Sequence, residues 1–210
     1  SYSDAWVDDS RLVVANARAA AEMGAEVRTR TRCDHAERDD AGGWRITLAD
    51  EETGGQETVS ARALVNAAGP WVSRFIKDGL KVESRHRVRL VKGSHIVVPA
   101  LFEGDHAYIL QNDDKRIVFA IPYQAGRLTI IGTTDLAYDG DPADVRIDAA
   151  EIDYLCGVVN RYFTKKTSPD DIVWTYSGVR PLYDDQSGNP SAVTRDYVFD
   201  LDAPEAGAPL

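Results

Sequence analysis

Cysteine is nearly absent: Cys33 and Cys156 stand alone among 210 residues. Two isolated cysteines supply neither zinc-site spacing nor a disulfide framework, so both are expected to be free thiols in a reducing compartment, with no metal site. Long apolar runs are missing as well. None approaches the ~18 residues that span a bilayer, and the first residues lack a basic-then-apolar targeting segment. Positive charge is scarce: 24 Lys and Arg stand against 34 Asp and Glu, a formal charge of -10. A surface that binds a phosphate backbone needs concentrated Lys and Arg, so nucleic acid is not an expected partner. There is no repeat, no low-complexity segment and no glycine-rich phosphate loop. What remains is a soluble globular composition, 43% apolar and 28% charged, with enough apolar material for a core.

The chain alternates helix and strand signals. Asp8, Asp9 and Ser10 offer caps to an alanine-rich helix over 12–23 that Gly24 ends. Residues 25–31 alternate like a strand. Trp44, Ile46 and Leu48 alternate with polar residues before Thr53-Gly54-Gly55, and 57–61 returns as a hairpin strand. The apolar run 63–68 predicts a buried strand, which Gly69 and Pro70 break before Trp71 begins a short helix. An antiparallel insertion feeding back into a parallel sheet is the simplest topology for this part.

Beyond residue 81 strand follows strand, over 87–98, 107–111, 116–121 and 128–131. Pro99 and Pro122 close two of them, because proline cannot donate to a sheet ladder. Residues 148–163 read as one amphipathic helix with Ile152, Leu155, Val159 and Phe163 near helical spacing. Residues 172–176 resume strand. The expected fold is mixed α/β and α+β. An α/β piece with a small β insertion covers 1–80, an antiparallel sheet with a covering helix covers 81–199, and 200–210 is a frayed tail.

Four groups of residues carry chemical signals. The turn Asn66-Ala67-Ala68-Gly69-Pro70-Trp71 is built from small residues that let a backbone approach a flat or phosphorylated ligand. Lys92-Gly93-Ser94-His95 interrupts a β-branched run with a glycine, which marks a bulge or close ligand approach. His95 is thereby presented from a rigid element, and imidazole, with an ordinary pKa of about 6.5, suits proton exchange with a hydroxyl. A satisfied histidine at the sheet edge is the competing reading. Gly132-Thr133-Thr134-Asp135 follows an apolar strand and either lays hydroxyls and a carboxylate over a ligand or forms a hydrogen-bonded turn. In Ser177-Gly178-Val179-Arg180-Pro181-Leu182 the proline restricts Arg180 to an extended backbone, and a fixed guanidinium binds phosphate or carboxylate through two bonds. The alternative is an ion pair with a neighbour such as Asp184 or Asp185. Arg85, His86, Arg87 and Arg89 form a basic cluster whose default is a solvated face.

These runs, in this order, resemble the FAD-dependent (aerobic, respiratory) glycerol-3-phosphate dehydrogenase family. The likeness rests on Val65-Asn66-Ala67-Ala68-Gly69-Pro70-Trp71, Lys92-Gly93-Ser94-His95-Ile96-Val97-Val98-Pro99, Ile131-Gly132-Thr133-Thr134-Asp135 and Trp174-Thr175-Tyr176-Ser177-Gly178-Val179-Arg180-Pro181-Leu182. The segments Ala107-Tyr108-Ile109-Leu110-Gln111 and Thr194-Arg195-Asp196-Tyr197 extend it across nearly the whole chain. The first run fits many flavoproteins, whereas the second and fourth are more specific.

The resemblance implies part of an FAD-binding Rossmann-like domain joined to a substrate-binding antiparallel sheet. It implies oxidation of sn-glycerol 3-phosphate to dihydroxyacetone phosphate, with electrons passed from FAD to quinone by a peripheral membrane protein at the cytoplasmic face of the bacterial inner membrane. Carried onto this sequence, His95 and Arg180 are the catalytic pair and contact substrate together with Thr133. The backbone at Arg32 and Cys33 approaches the adenine end of FAD, and Ala67, Ala68, Gly69 and Trp71 lie along the dinucleotide. Position 68 is often threonine in this family, so Ala68 forgoes a hydroxyl contact.

The family's Gly-x-Gly-x-x-Gly loop and helical C-terminal domain are not in these 210 residues. The expectation is therefore an internal fragment, soluble, inactive alone and not retaining FAD. A flavin-dependent amine or 2-hydroxy-acid oxidase shares the general fold and the 66–71 turn. A non-catalytic flavoprotein-like binding module is the reading from a different class.

Overall fold

The Asp8 carboxylate accepts from the Arg11 backbone N–H at 3.1 Å and so opens helix α1, Asp9–Glu22. A computed structural model describes residues 7–83, 88–183, 199–203 and 208–210. By its contacts the chain forms two compact units, one of 1–64 with 203–209 and one of 65–202 with Leu210. The sequence pattern puts its lobe boundary near residue 80. The contact boundary lies earlier because the short helical turn Gly69–Trp71 packs against the last strand of the second unit.

The first unit holds α1 and a three-stranded antiparallel meander: β1 Thr31–Arg38, β2 Trp44–Asp50 and β3 Gln56–Ala61. Alternation buries Trp44 and Ile46 on one face of β2, against Ala36 of β1. Residues 208 and 209, read from sequence as part of a frayed tail, close over this face. Arg38 Nε donates to the Ala208 carbonyl at 2.8 Å, Trp44 Nε1 donates to the Pro209 carbonyl at 2.9 Å, and Ala208 is buried.

Two strand expectations fail here. The strand expected over 25–31 begins only at Thr31 and runs on to Arg38. No strand forms over 63–68, and Val65 is 85% exposed. An apolar run becomes a buried parallel strand only when neighbouring strands flank it. Among the described residues every strand pair is antiparallel, so that flank is not provided.

In the second unit the 66–71 turn leads through α2, Val72–Arg74, and a wider turn, Phe75–Gly79, into the long strand β4, Val88–Pro99. β5 Tyr108–Gln111, β6 Ile117–Tyr123 and β7 Leu128–Gly132 follow as antiparallel neighbours. β7 and the short β8, Leu136–Ala137, take successive stretches of one edge of β4. The final strand β9, Trp174–Tyr183, takes the other edge in register from Val88 to Val97.

Helix α3, Ala149–Tyr162, covers one sheet face. A reciprocal capping box starts it, with Glu151 N–H on the Asp148 carboxylate at 2.9 Å and Asp148 N–H on the Glu151 carboxylate at 3.0 Å. Its Leu155, Val158 and Val159 interlock with Ile96, Val98, Val118 and Ile131 as the main core. Both cysteines are free thiols, and burial pushes the pKa of each up.

Candidate active site

Odd and even residues of β4 point to opposite faces. Ser94, Ile96 and Val98 go into the α3-covered core, which leaves Val91, Gly93, His95 and Val97 on the other face. His95 sits directly between Gly132 of β7 and Tyr176 of β9. Its imidazole stacks on the Tyr176 ring at 4.5 Å with 4° between the planes. A Cβ added to Gly132 would come within 2.8 Å of both His95 Cγ and Nε2. Glycine at 132 is thus the seat of the imidazole, and a histidine held on both sides has little rotamer freedom. Gly132→Ala is expected to push the ring off Tyr176 and to cost about 1–3 kcal/mol of stability by overpacking. The His95 ring-proton shifts in NMR and a denaturant melt report the two effects.

Arg180 lies on the same face as His95, four residues along β9 from Tyr176 and opposite Val91. Its Nη2 donates to Asp135 Oδ1 at 2.9 Å. The sequence pattern names Asp184 or Asp185 as alternative partners; both lie outside the described residues, and Asp135 is the partner observed. Thr133 is there too, because a Cβ on Gly93 would overlap its Oγ1. Gly93 is paired with Gly178 across the β4–β9 ladder. The structure therefore brings His95, Thr133 and Arg180 onto one sheet face and adds Tyr176, Asp135 and the two glycines to them.

A buried polar network roots this loop from behind. Thr134 points the opposite way from its neighbours and donates to Glu151 Oε1 at 2.6 Å, while accepting the Ser94 backbone N–H at 2.9 Å. Glu151 Oε2 pairs with Lys92 Nζ at 2.7 Å, and Lys92 also donates to the Arg146 carbonyl at 2.9 Å. Burial pulls the Lys92 pKa down, but Glu151 and then Asp148 outweigh it and hold it above the usual lysine value. The Glu151 backbone N–H, helped by Lys92, keeps the Asp148 carboxyl below the usual range. Sequence reasoning named Asp135 as a carboxylate over a ligand or a turn residue but did not pair it with Arg180, and it missed Tyr176 and this network. The Asp148-x-x-Glu151 capping signature was its one visible trace.

The turn at 66–71 is tied by Asn66, whose Oδ1 accepts from Ala68 N–H at 3.2 Å and whose Nδ2 donates to the Val72 carbonyl at 3.1 Å. Gly69 adopts φ +54°, a conformation that disfavours a side chain, and Ala67 and Ala68 are exposed. Trp71, 41% exposed, lines a cleft of about 330 Å³ with Pro70, Arg74, Leu90 and Asp141; neither His95 nor Arg180 lines it. The Ala143 backbone N–H, then Arg74 and Trp71, lower the Asp141 pKa.

Arg32 and Cys33 belong to the first unit, on β1 beside a bulge, and Arg32 pairs with Glu51 at 2.9 Å. Arg85, His86, Arg87 and the 194–197 segment lie outside the described residues. Among the described residues no group of His, Cys, Asp and Glu is arranged to hold a metal.

Residues 1–200 match the FAD dependent oxidoreductase family. The chain is 56% identical to a glycerol-3-phosphate dehydrogenase of Pseudomonas tolaasii over 209 residues, which is all of this chain and 40% of that protein. It is 54% identical to a D-erythritol 1-phosphate dehydrogenase of Brucella abortus, again over its full length and 41% of the relative. The glycerol-3-phosphate dehydrogenase of Bacillus halodurans, solved with FAD, superposes with a TM-score of 0.77 at 30% identity, covering 86% of this chain and 36% of that one. The chain thus spans about 40% of the length of the relatives it matches.

Proposed function

This chain belongs to the FAD dependent oxidoreductase family, and we propose that it supplies the substrate-facing sheet of an enzyme oxidising sn-glycerol 3-phosphate to dihydroxyacetone phosphate. The carrying observation is the single sheet face shared by His95, Thr133 and Arg180: a base, a hydroxyl and an anion-binding guanidinium. The His95–Tyr176 row and the Val91–Arg180 row are offset by four strand positions, roughly 13 Å at the usual rise. Side chains reaching inward from both rows leave room for a small phosphorylated polyol.

In this reading His95 takes the proton of the secondary hydroxyl while Tyr176 and Gly132 hold its ring in place. Arg180 binds the phosphate, and Asp135 fixes the plane of its guanidinium. Thr133 gives a hydrogen bond to a substrate oxygen. FAD, when bound, supplies the acceptor for the carbinol hydride.

The 66–71 turn fits such a cofactor, since a Cβ at Gly69 would meet no atom within 4 Å and the flanking alanines carry only methyls. Ala67, Ala68, Gly69 and Trp71 would lie along the dinucleotide, with the Arg32 and Cys33 backbone toward its adenine end. Quinone is the proposed electron acceptor, reached by peripheral association at the cytoplasmic face of the bacterial inner membrane. Among the described residues no helix is long and apolar enough to cross a membrane.

The Brucella relative supports a second reading on the same face, a four-carbon polyol phosphate in place of glycerol 3-phosphate. Product assays with both phosphates, and with amino and 2-hydroxy acids, separate the readings; turnover of only the unphosphorylated acids would overturn both. In the flavin-loaded enzyme that carries this chain, Arg180→Ala should raise KM for the phosphate about 10- to 100-fold, the worth of a charge-assisted hydrogen bond. Flavin absorbance should not change. Parallel loss of flavin and substrate affinity would remove Arg180 from the phosphate site.

A further inference from the structure

Two glycines face each other across β4 and β9, Gly93 buried and Gly178 exposed, and they have different explanations. Gly93 is required by the fold, because Thr133 Oγ1 occupies the space a side chain would need. Gly178 has no such reason. A Cβ there would meet nothing within 4 Å, its φ lies outside the left-handed region, and the residue is exposed. Glycine weakens a strand and packs nothing, and within strands it marks places where something approaches the backbone closely. Here the space above Gly178 is bordered by Tyr176 and Arg180 on its own strand and by Gly93, carrying Thr133, across the ladder.

We infer that Gly178 is the floor of the substrate subsite. The carbon chain of a polyol phosphate lies against its bare backbone, between the His95–Tyr176 row and Arg180, and the missing side chain sets how bulky that chain can be. This rests on the proposed function and adds a specificity-determining residue to it. Gly178 touches no proton in transit and holds no charge; its contribution is volume. A methyl at 178 narrows the space beside Thr133, and a branched side chain fills it. The longer four-carbon substrate has more atoms to place over the same floor and is excluded first.

The test uses the flavin-loaded enzyme with Gly178→Ala and Gly178→Val. Both are expected to melt like the parent and keep its flavin absorbance, since the site is open and the backbone unstrained. KM for glycerol 3-phosphate should rise about tenfold in Gly178→Ala and about a hundredfold in Gly178→Val, the range by which one or two methylenes discriminate in a pocket. D-erythritol 1-phosphate should lose more than glycerol 3-phosphate in each. Calorimetric binding of dihydroxyacetone phosphate should weaken in parallel.

If the parent enzyme turns over either phosphate and Gly178→Val leaves KM and product affinity within about twofold, the Gly178 assignment falls while the proposed function stands. If the variants lose flavin or melt early, Gly178 serves folding and the assignment also falls. If the parent enzyme oxidises neither phosphate, the proposed function itself fails.

Discussion

Replacing His95 by Asn lowers kcat by about 10²- to 10⁴-fold, the usual worth of a positioned general base. KM and flavin content stay close to those of the parent. The size of the effect follows from how the ring is held. The flanking Ser94 and Ile96 are fully buried on the opposite face, so the backbone cannot drift, and Gly132 and Tyr176 confine the imidazole on either side. Asparagine keeps the polarity but has no nitrogen able to accept the proton.

The pH–rate profile is the discriminating readout. A neutral imidazole acts as base and its protonated form does not, so the rate of the parent falls as pH drops through the titration of the base. In the variant that limb is lost. Unchanged kcat, or an unchanged acid limb, would remove His95 as the base. Loss of flavin would assign it to cofactor binding instead.

Glu151→Ala lowers the stability of the second unit by about 3 kcal/mol, because the buried Lys92 ammonium then keeps only the half-exposed Asp148 carboxylate, at 3.3 Å, as counter-charge. Lys92 and Glu151 have side chains only 11% and 3% exposed, at 2.7 Å. The same substitution removes the acceptor for Thr134 and one half of the capping box of α3. A melt should show a drop of roughly 10 °C. Replacing both members, Lys92→Met with Glu151→Leu, should recover much of the loss, since neither then leaves a buried charge unmatched. A single variant that melts like the parent would contradict the network.

Lys92 and Asp148 also set a pH window. Lys92 titrates above its ordinary value of 10.5, so its contribution is complete at neutral pH and is lost as alkali passes the raised value. Asp148 titrates below its ordinary value of 3.8. Its contribution is present above that value and fades as acid passes the lowered one. Because Asp148 is about half exposed, solvent screens it and the acid-side loss is the smaller.

Much of the second unit was legible in one dimension. Strand alternation located β4 to β7 within a residue or two, and the helical spacing of Ile152, Leu155 and Val159 located α3. The 66–71 turn announced itself through its small residues. The stretch ahead of that turn was harder. Residues 63–68 are as apolar as a buried strand, yet an apolar run states only that burial suits it, and the flanking strands decide whether a sheet position exists. Asp135 read either as a ligand-facing carboxylate or as a turn residue, because nothing nearby in sequence reveals a guanidinium 45 positions away.

Sequence by itself determined the elements and the residue types available for chemistry, since side-chain volume, alternation, capping and proline act locally. It also carried the motif order that led to the flavoprotein family. Only the tertiary structure decided which of those residues share a face. Pairing β9 with β4 in one particular register puts Arg180, Gly178 and Tyr176 beside Val91, Gly93 and His95. A slip of one residue would turn every one of them to the other side. The register in turn is held by what lies behind the sheet: the buried core under α3 and the Lys92–Glu151–Thr134 network. The site is therefore a property of contacts between residues far apart in the chain.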